Sequence, residues 1–384
     1  MKICIFSLSP KIGGGVIVKT IKLIQYLVNK NHSVTWAFPQ RKGEYPKYVK
    51  SFLEDVEIEV IEIKTLPYLR VLDSVDFYNQ IKDEYDIYQV VSGYCVDGMI
   101  FSKFANNFFI WSATTLRAEK FSQKLTNIRT FKELVSYLNF FIGLRLEKYA
   151  AKKAYKIFAA STSSRSNISD ELNISKDKID ILNPIIDTDY YSFSPVSSRE
   201  TDEPYILFMG IFSKRKNIDL LIHSFKKLNS KNKALKLKLV GKTNGFDRHF
   251  ENLIRKLKLE NFIEIVGEVE DNSYYYKNAI CTVLTSYEEG FGMVLAESLS
   301  CGTPVISTKS GGVSDIVIDN ENGFLVNFEQ NEVSKAIEEL FLNKSLRETF
   351  SFKGRKHVED NFSINSLGAK IEKEYFHYLD KKKK

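Results

Sequence analysis

The chain lacks the cysteine patterns that make disulfide scaffolds or zinc sites. Its four cysteines among 384 residues, Cys4, Cys95, Cys281 and Cys301, stand far apart in mostly apolar surroundings, with no CxxC pair. They read as buried thiols of a reducing compartment. No apolar run reaches the roughly 18 residues of a spanning helix. The opening MKICIFSLSP has too short an apolar run for a signal peptide and reads as a strand and turn. No helix-turn-helix, zinc or stacking-sheet signature accompanies the net charge of +7. That charge therefore fits a solvated surface, an anionic membrane face or an anionic substrate, and no nucleic-acid partner is expected. No internal repeat appears, and the only biased stretch is Lys381 to Lys384, which reads as a frayed, solvated tail. The expected location is cytoplasmic, with a peripheral place on the inner face of the plasma membrane as the alternative.

What is present is length and alternation. At 384 residues the chain exceeds one ordinary doubly wound domain and suits two. Strands are expected at Lys2–Ser7, Val34–Phe38, Asp86–Val91, Phe108–Ser112 and Lys156–Ala160, with helical patterns between them. A second series covers Tyr205–Met209, Lys236–Val240, Ile263–Val266, Ala279–Leu284, Pro304–Ser307 and Gly323–Val326. Strand-helix alternation of this kind makes parallel sheets. The run ILNPIIDTDYYSFSP, with two prolines, marks the hinge near residues 184 to 200. The domains are then residues 1–190 and 191–358, with a C-terminal helix and basic tail over 359–384.

Several stretches carry two readings each. Gly13, Gly14 and Gly15 stand where a strand-turn-helix unit lets the backbone approach an anion, and equally make a plain tight turn. Lys19-Thr20 looks like the end of an ATPase phosphate loop, but that loop needs glycine before its lysine and Val18 stands there. Thr114, Thr115, Arg117 and Glu119 follow a strand end, as ligand-lining or ordinary loop residues. Residues 128–154 form one long helix or a pair. Its apolar segment LVSYLNFFIGL, flanked by Arg129, Lys132 and Arg145, suits a buried core or a lipid headgroup layer.

The most informative stretch is TSYEEGFGMVLAESLSCGTPVISTKSGGVSDI, Thr285 to Ile316. Glu289 and Glu297 bracket a Gly-Phe-Gly turn that opens a short helix, so one carboxylate sits at the helix mouth and the other two turns down. A further helix start is expected at Gly311-Gly312. Carboxylates accept from hydroxyls and helix N-termini hold anions. A ligand that suits both is polyhydroxylated and phosphorylated. Upstream, Arg215 and Lys216 stand just ahead of a helix start after the strand ending at Met209 and Gly210, the charge a diphosphate needs.

In these blocks the chain resembles glycosyltransferase family 4, retaining nucleotide-sugar transferases of the GT-B fold. The matching pieces are the Gly13 to Gly15 loop with NHSVTW, NPIIDTDYYSFSP, MGIFSKRKN, EEGFGMVLAE and CGTPVISTKSGG. The resemblance implies an α/β protein of two doubly wound Rossmann-like domains facing each other across a deep cleft. It implies that Glu289 contacts the transferred sugar and Glu297 the ribose, while Phe291, Gly292 and Met293 offer amides to sugar and phosphate. Lys216 matches the diphosphate-binding lysine, Gly14 and Gly15 would close over the phosphates, and Glu268 and Val269 fall where the base is held. The donor would be a UDP- or GDP-type sugar and the acceptor a glycan or lipid-linked glycan. No cofactor and no metal are expected. Asp187-Thr188-Asp189 has the form of a metal-binding pair but lies in the proline-bounded hinge and reads as structural.

Two departures stand out. Ile211 occupies a position where the family often has arginine, which leaves Arg215 to supply that charge. Ala113-Thr114-Thr115 replaces a histidine that touches the sugar. A protein that binds nucleotide sugars without transferring them is therefore one alternative to a transferase. An epimerase or phosphorylase of the same architecture is another.

Overall fold

The structure, a computed structural model, describes residues 1–12, 15–63, 85–102, 105–113, 115–116, 131–196, 203–229 and 234–383. It divides into two units, Met1–Ile185 together with Ile364–Lys384, and Ile186–Ser363. Each unit holds one parallel sheet.

In the first unit seven strands run in the order β3-β2-β1-β4-β5-β6-β7. They are β1 (Lys2–Ser7), β2 (Ser33–Pro39), β3 (Glu59–Ile63), β4 (Ile87–Ser92), β5 (Phe108–Ser112), β6 (Lys156–Ala159) and β7 (Ile179–Ile181). The central strands are buried along almost their whole length, as a sheet covered on both faces requires. The helices are α1 (Gly15–Asn29), α2 (Lys47–Asp55), α3 (Met99–Ser102), α4 (Phe131–Lys153) and α5 (Thr162–Leu172), joined from the far end of the chain by α12 (Ile364–Lys383).

In the second unit six strands run β10-β9-β8-β11-β12-β13. They are β8 (Tyr205–Met209), β9 (Lys236–Val240), β10 (Ile263–Gly267), β11 (Cys281–Leu284), β12 (Val305–Thr308) and β13 (Gly323–Val326). Their helices are α6 (Ile218–Asn229), α7 (Asp247–Lys256), α8 (Ser273–Asn278), α9 (Met293–Ser300), α10 (Gln330–Leu342) and α11 (Lys344–Phe362).

Two strands were not legible. The edge strand β3 carries two glutamates in five residues and is half open, and β7 has three residues. Short, polar edges keep sheets from pairing with other chains, which is also why they leave little apolar signal. Residues 131–153 form a single helix, α4, in which Phe141 and Ile142 are exposed. Among the described residues no helix is long and apolar enough to cross a membrane. Lys381 to Lys383 continue α12 as its last turn, where cations meet the negative end of the helix dipole.

Helix α12 is core to the first unit rather than an appendage. Tyr375 is fully buried, donates to Gln89 Oε1 at 2.7 Å and packs edge-on against Phe109 at 5.0 Å. Glu372 meets His32 at 2.7 Å and Tyr26 at 3.1 Å on and beyond α1. The helices approach closely because position 368 has no side chain, since a Cβ there would stand 2.5 Å from the Tyr26 ring. Gly368→Ala should therefore destabilise the first unit by about 1–3 kcal/mol through overpacking. Thermal unfolding should show a lowered midpoint, and an unchanged midpoint would mean that α12 contributes no tight contact.

Candidate active site

In an open parallel sheet the loops part where the strand order reverses, and a crevice forms at the C-terminal strand ends. The second unit reverses between β8 and β11. From β8 the chain passes Gly210 and Ile211 into a short turn, Lys214–Lys216, then through left-handed Asn217 into α6. From β11 it passes Thr285 to Gly292 into α9. Hydrogen bonds to backbone carbonyls stitch these loops together. Tyr287 N donates to the Arg215 carbonyl and Thr285 Oγ1 to the Asn217 carbonyl, both at 2.9 Å.

The stitching brings Lys216 onto Glu289. Lys216 Nζ donates to Glu289 Oε1 at 2.6 Å, and an Arg215 guanidinium nitrogen stands 3.2 Å from the same oxygen. That nitrogen also donates to the Glu288 carbonyl at 2.5 Å. The Lys216 and Glu289 side chains are only 10% and 8% exposed, whereas Arg215 is 40% exposed. Burial pushes the Glu289 carboxyl upward, yet Lys216 and Arg215 outweigh it and hold the group below the ordinary carboxylate range. The site is thus a fixed carboxylate flanked by two cations, one of them open to solvent.

Glu289 is also fixed from behind. Gly312 N donates to its carbonyl at 2.8 Å. Gly311 adopts φ +54°, and a Cβ there would lie 2.0 Å from that carbonyl oxygen, so only glycine fits. The helix start expected at Gly311-Gly312 is a short helix of 3-10 type, Gly311–Asp315.

The expected pairing of Glu289 with Glu297 along one helix needs correction. α9 begins at Met293, so Glu289 lies in the preceding loop, and only Glu297 is helical. Glu297 is buried and accepts from the Tyr276 hydroxyl at 2.8 Å. Burial pushes its carboxyl up, with Tyr276 and Tyr191 pulling it partly back. Burial and the charge of Glu297 together push the Tyr276 hydroxyl well up.

At the mouth of α9, Gly292 is the N-cap with φ +100° and no side chain caps it. The first amides of such a helix, Met293 among them, have no acceptor within the helix. Phe291 is buried edge-on to Phe362 at 5.2 Å. Glu268 is exposed and Val269 half-buried beyond β10, two strands away from β8.

In the first unit Gly14, Thr114, Arg117 and Glu119 lie outside the described residues. Gly15 opens α1 and is exposed. Thr115 does not line a surface: it is fully buried and its hydroxyl donates to Glu171 of α5. The strand order here reverses between β1 and β4, and two charged side chains lie near that point: Lys19, considered in the sequence only as part of a phosphate loop, and Glu147, which was missed. Lys19 of α1 is buried, 3.4 Å from the Ser92 carbonyl and 4.8 Å over the Trp111 ring, and burial lowers its pKa to about 7. Glu147 of α4 is buried and accepts from the Cys95 amide at 3.1 Å and the Leu116 amide at 3.1 Å. It ties α4 to the loops after β4 and β5. The signal was available: Ala150, Ala151 and Ala154 share its helix face.

Among the described residues no group of three His, Cys, Asp or Glu stands together as a metal site. Asp187 accepts from the Tyr190 amide at 3.3 Å and begins a turn.

Residues 192–357 match the family model described as glycosyl transferases group 1. This stretch of the second unit is therefore similar to group 1 glycosyl transferases, and the chain is a glycosyltransferase. The chain is 29% identical over 271 residues to the capsular polysaccharide biosynthesis glycosyltransferase CapM of Staphylococcus aureus, covering 67% of this chain and 68% of CapM. It is 30% identical over 231 residues to the glycosyltransferase MJ1178 of Methanocaldococcus jannaschii, covering 59% and 61%. The crystal structure of Anabaena Alr3699/HepE in complex with UDP superposes with a TM-score of 0.78 at 21% identity, covering 97% of this chain and 99% of that one. The two Rossmann-like units are those of the GT-B fold.

Outside the matched residues, Glu147 makes a pH prediction. Burial raises its pKa from 4.5 to about 7. Between those values the folded chain holds a proton that the unfolded chain has lost. Stability from this group therefore falls as pH rises, by about 1.4 kcal/mol per unit at most. Denaturant unfolding between pH 5 and 7 should show that slope reduced in Glu147→Gln relative to the parent, and identical slopes would contradict the shift.

Proposed function

We propose that this glycosyltransferase is a retaining, metal-independent enzyme that moves a sugar from a nucleoside-diphosphate sugar to a cell-surface polysaccharide or glycolipid. The observation that carries the reading is the Lys216–Glu289–Arg215 cluster at the switch point of the second sheet. Breaking a sugar–phosphate bond builds negative charge on the diphosphate and positive charge on the sugar ring. Lys216 and Arg215 would hold the departing diphosphate together with the first amides of α9, and Glu289 would steady the ring. The departing phosphate would accept the acceptor hydroxyl's proton as that oxygen bonds to the anomeric carbon on the face the phosphate leaves. The two side-chain cations would supply the charge neutralisation for which other sugar transferases use a metal ion.

A UDP-type donor is favoured by the UDP complex of the Anabaena relative in structure. A capsule or related glycan is favoured as product by the name of CapM. A peripheral membrane position is supported by exposed Phe141 and Ile142 close to exposed Arg145 on α4. Binding without transfer is the second reading, favoured by the exposed Ile211 where the family often has arginine.

Hydrolysis of a panel of nucleoside-diphosphate sugars, followed by released nucleoside diphosphate, separates the two. The parent should turn over at least one donor, and Glu289→Ala should lose about 100-fold or more of that rate. It should fold normally by circular dichroism. A parent that binds donors yet releases nothing, with or without added glycans, would leave only the second reading.

A further inference from the structure

We infer that the stacked pair Tyr287–Phe328 is a subsite for a pyranose ring of the acceptor glycan, an assignment that builds on the transferase reading. The two rings lie 5.6 Å apart at 24°, and they are 61% and 42% exposed. Among the described residues the other stacked phenyl pairs, Phe109–Phe158 and Phe246–Phe250, each contain a buried ring. Two large apolar rings held in water, face to face, present an open π face at the cost of their own burial.

Their backbones are fixed. The Tyr287 amide is bound to the Arg215 carbonyl at 2.9 Å. Next to Phe328, Asn327 is pinned by Glu332, which accepts from its amide at 2.8 Å and from its side chain at 2.9 Å. The position is equally specific. Along the C-terminal edge of the sheet come the Lys216 loop after β8, the Glu289 loop after β11, the Gly311 turn after β12 and Phe328 after β13. For a ligand with its diphosphate at Lys216 and its sugar at Glu289, Phe328 lies further along that edge, past the Gly311 turn, and Tyr287 reaches it from the Glu289 loop. Beyond the transferred sugar the reaction places only the acceptor.

The chemistry suits a sugar. One face of a pyranose presents C–H bonds of slight positive charge, which match the negative π face, while its equatorial hydroxyls point outward. Exposed Glu288 adjoins Tyr287 in the chain, and Arg215 is held to the Glu288 carbonyl. These groups can exchange hydrogen bonds with hydroxyls.

Saturation-transfer NMR tests this with methyl glycosides of glucose, galactose, mannose and N-acetylglucosamine as probes, in the presence of UDP. At least one glycoside should show transfer to its ring C–H protons with the parent and with Tyr287→Phe. Its affinity should fall about three- to tenfold in Tyr287→Ala, the worth of one aromatic contact. UDP affinity by calorimetry should not change. The subsite is refuted if none of the four shows transfer with the parent, or if Tyr287→Ala matches the parent. It is also refuted if Tyr287→Ala loses UDP affinity, which would make the pair part of the nucleotide site. Failure of the parent to bind UDP would count against the donor reading, while the glycoside comparison stays readable.

Discussion

One carboxylate shared by two cations organises the second unit. Glu289 receives Lys216 and Arg215 from the loop after β8, and its carbonyl receives Gly312 from the turn after β12. Three strand ends thereby converge on one residue. A buried ion pair is a poor stability device, because the desolvation of both charges roughly cancels their attraction, and apolar replacements often do as well. A charge cluster at the C-terminal edge of a parallel sheet, where the strand order reverses, is what the proposed grip on a diphosphate requires. The glycine at position 311, where a side chain does not fit, lets the backbone close on Glu289.

The first unit has the same topology and the opposite arrangement of charge. Near its reversal point Lys19 lies on a carbonyl and an aromatic face, while Glu147 accepts from two loop amides. Among the described residues neither makes an ion pair like the one in the second unit, and burial shifts each toward its neutral form. One unit thus concentrates fixed charge at its strand ends, and the other surrounds weakly ionised groups with backbone.

Much of this was legible in the residues. Central strands such as Lys2–Ser7 and Tyr205–Met209 are continuous apolar runs, and their bounds in the fold are those read from the chain. Lys216 and Glu289 were readable because each follows a strand end with a glycine turn nearby. The relation of Glu289 to Glu297 was not, because seven intervening residues suggest two helical turns whereas α9 starts only at Met293. The destination of Glu297 depended on Tyr276, 21 residues away, and no local pattern announces such a contact. Thr115 was misjudged for a similar reason: its partner Glu171 comes from a helix 56 residues on. Local periodicity marks the buried strands, but the partner of a polar side chain is decided by packing across elements.

The most direct measurement on the Lys216–Glu289 pair is a crystal structure of the chain with UDP bound. The diphosphate should lie within hydrogen-bond distance of Lys216 Nζ, with Glu289 facing the open side where the sugar would attach. UDP bound elsewhere on the chain, with Lys216 still engaged only by Glu289, would contradict the role given to this pair.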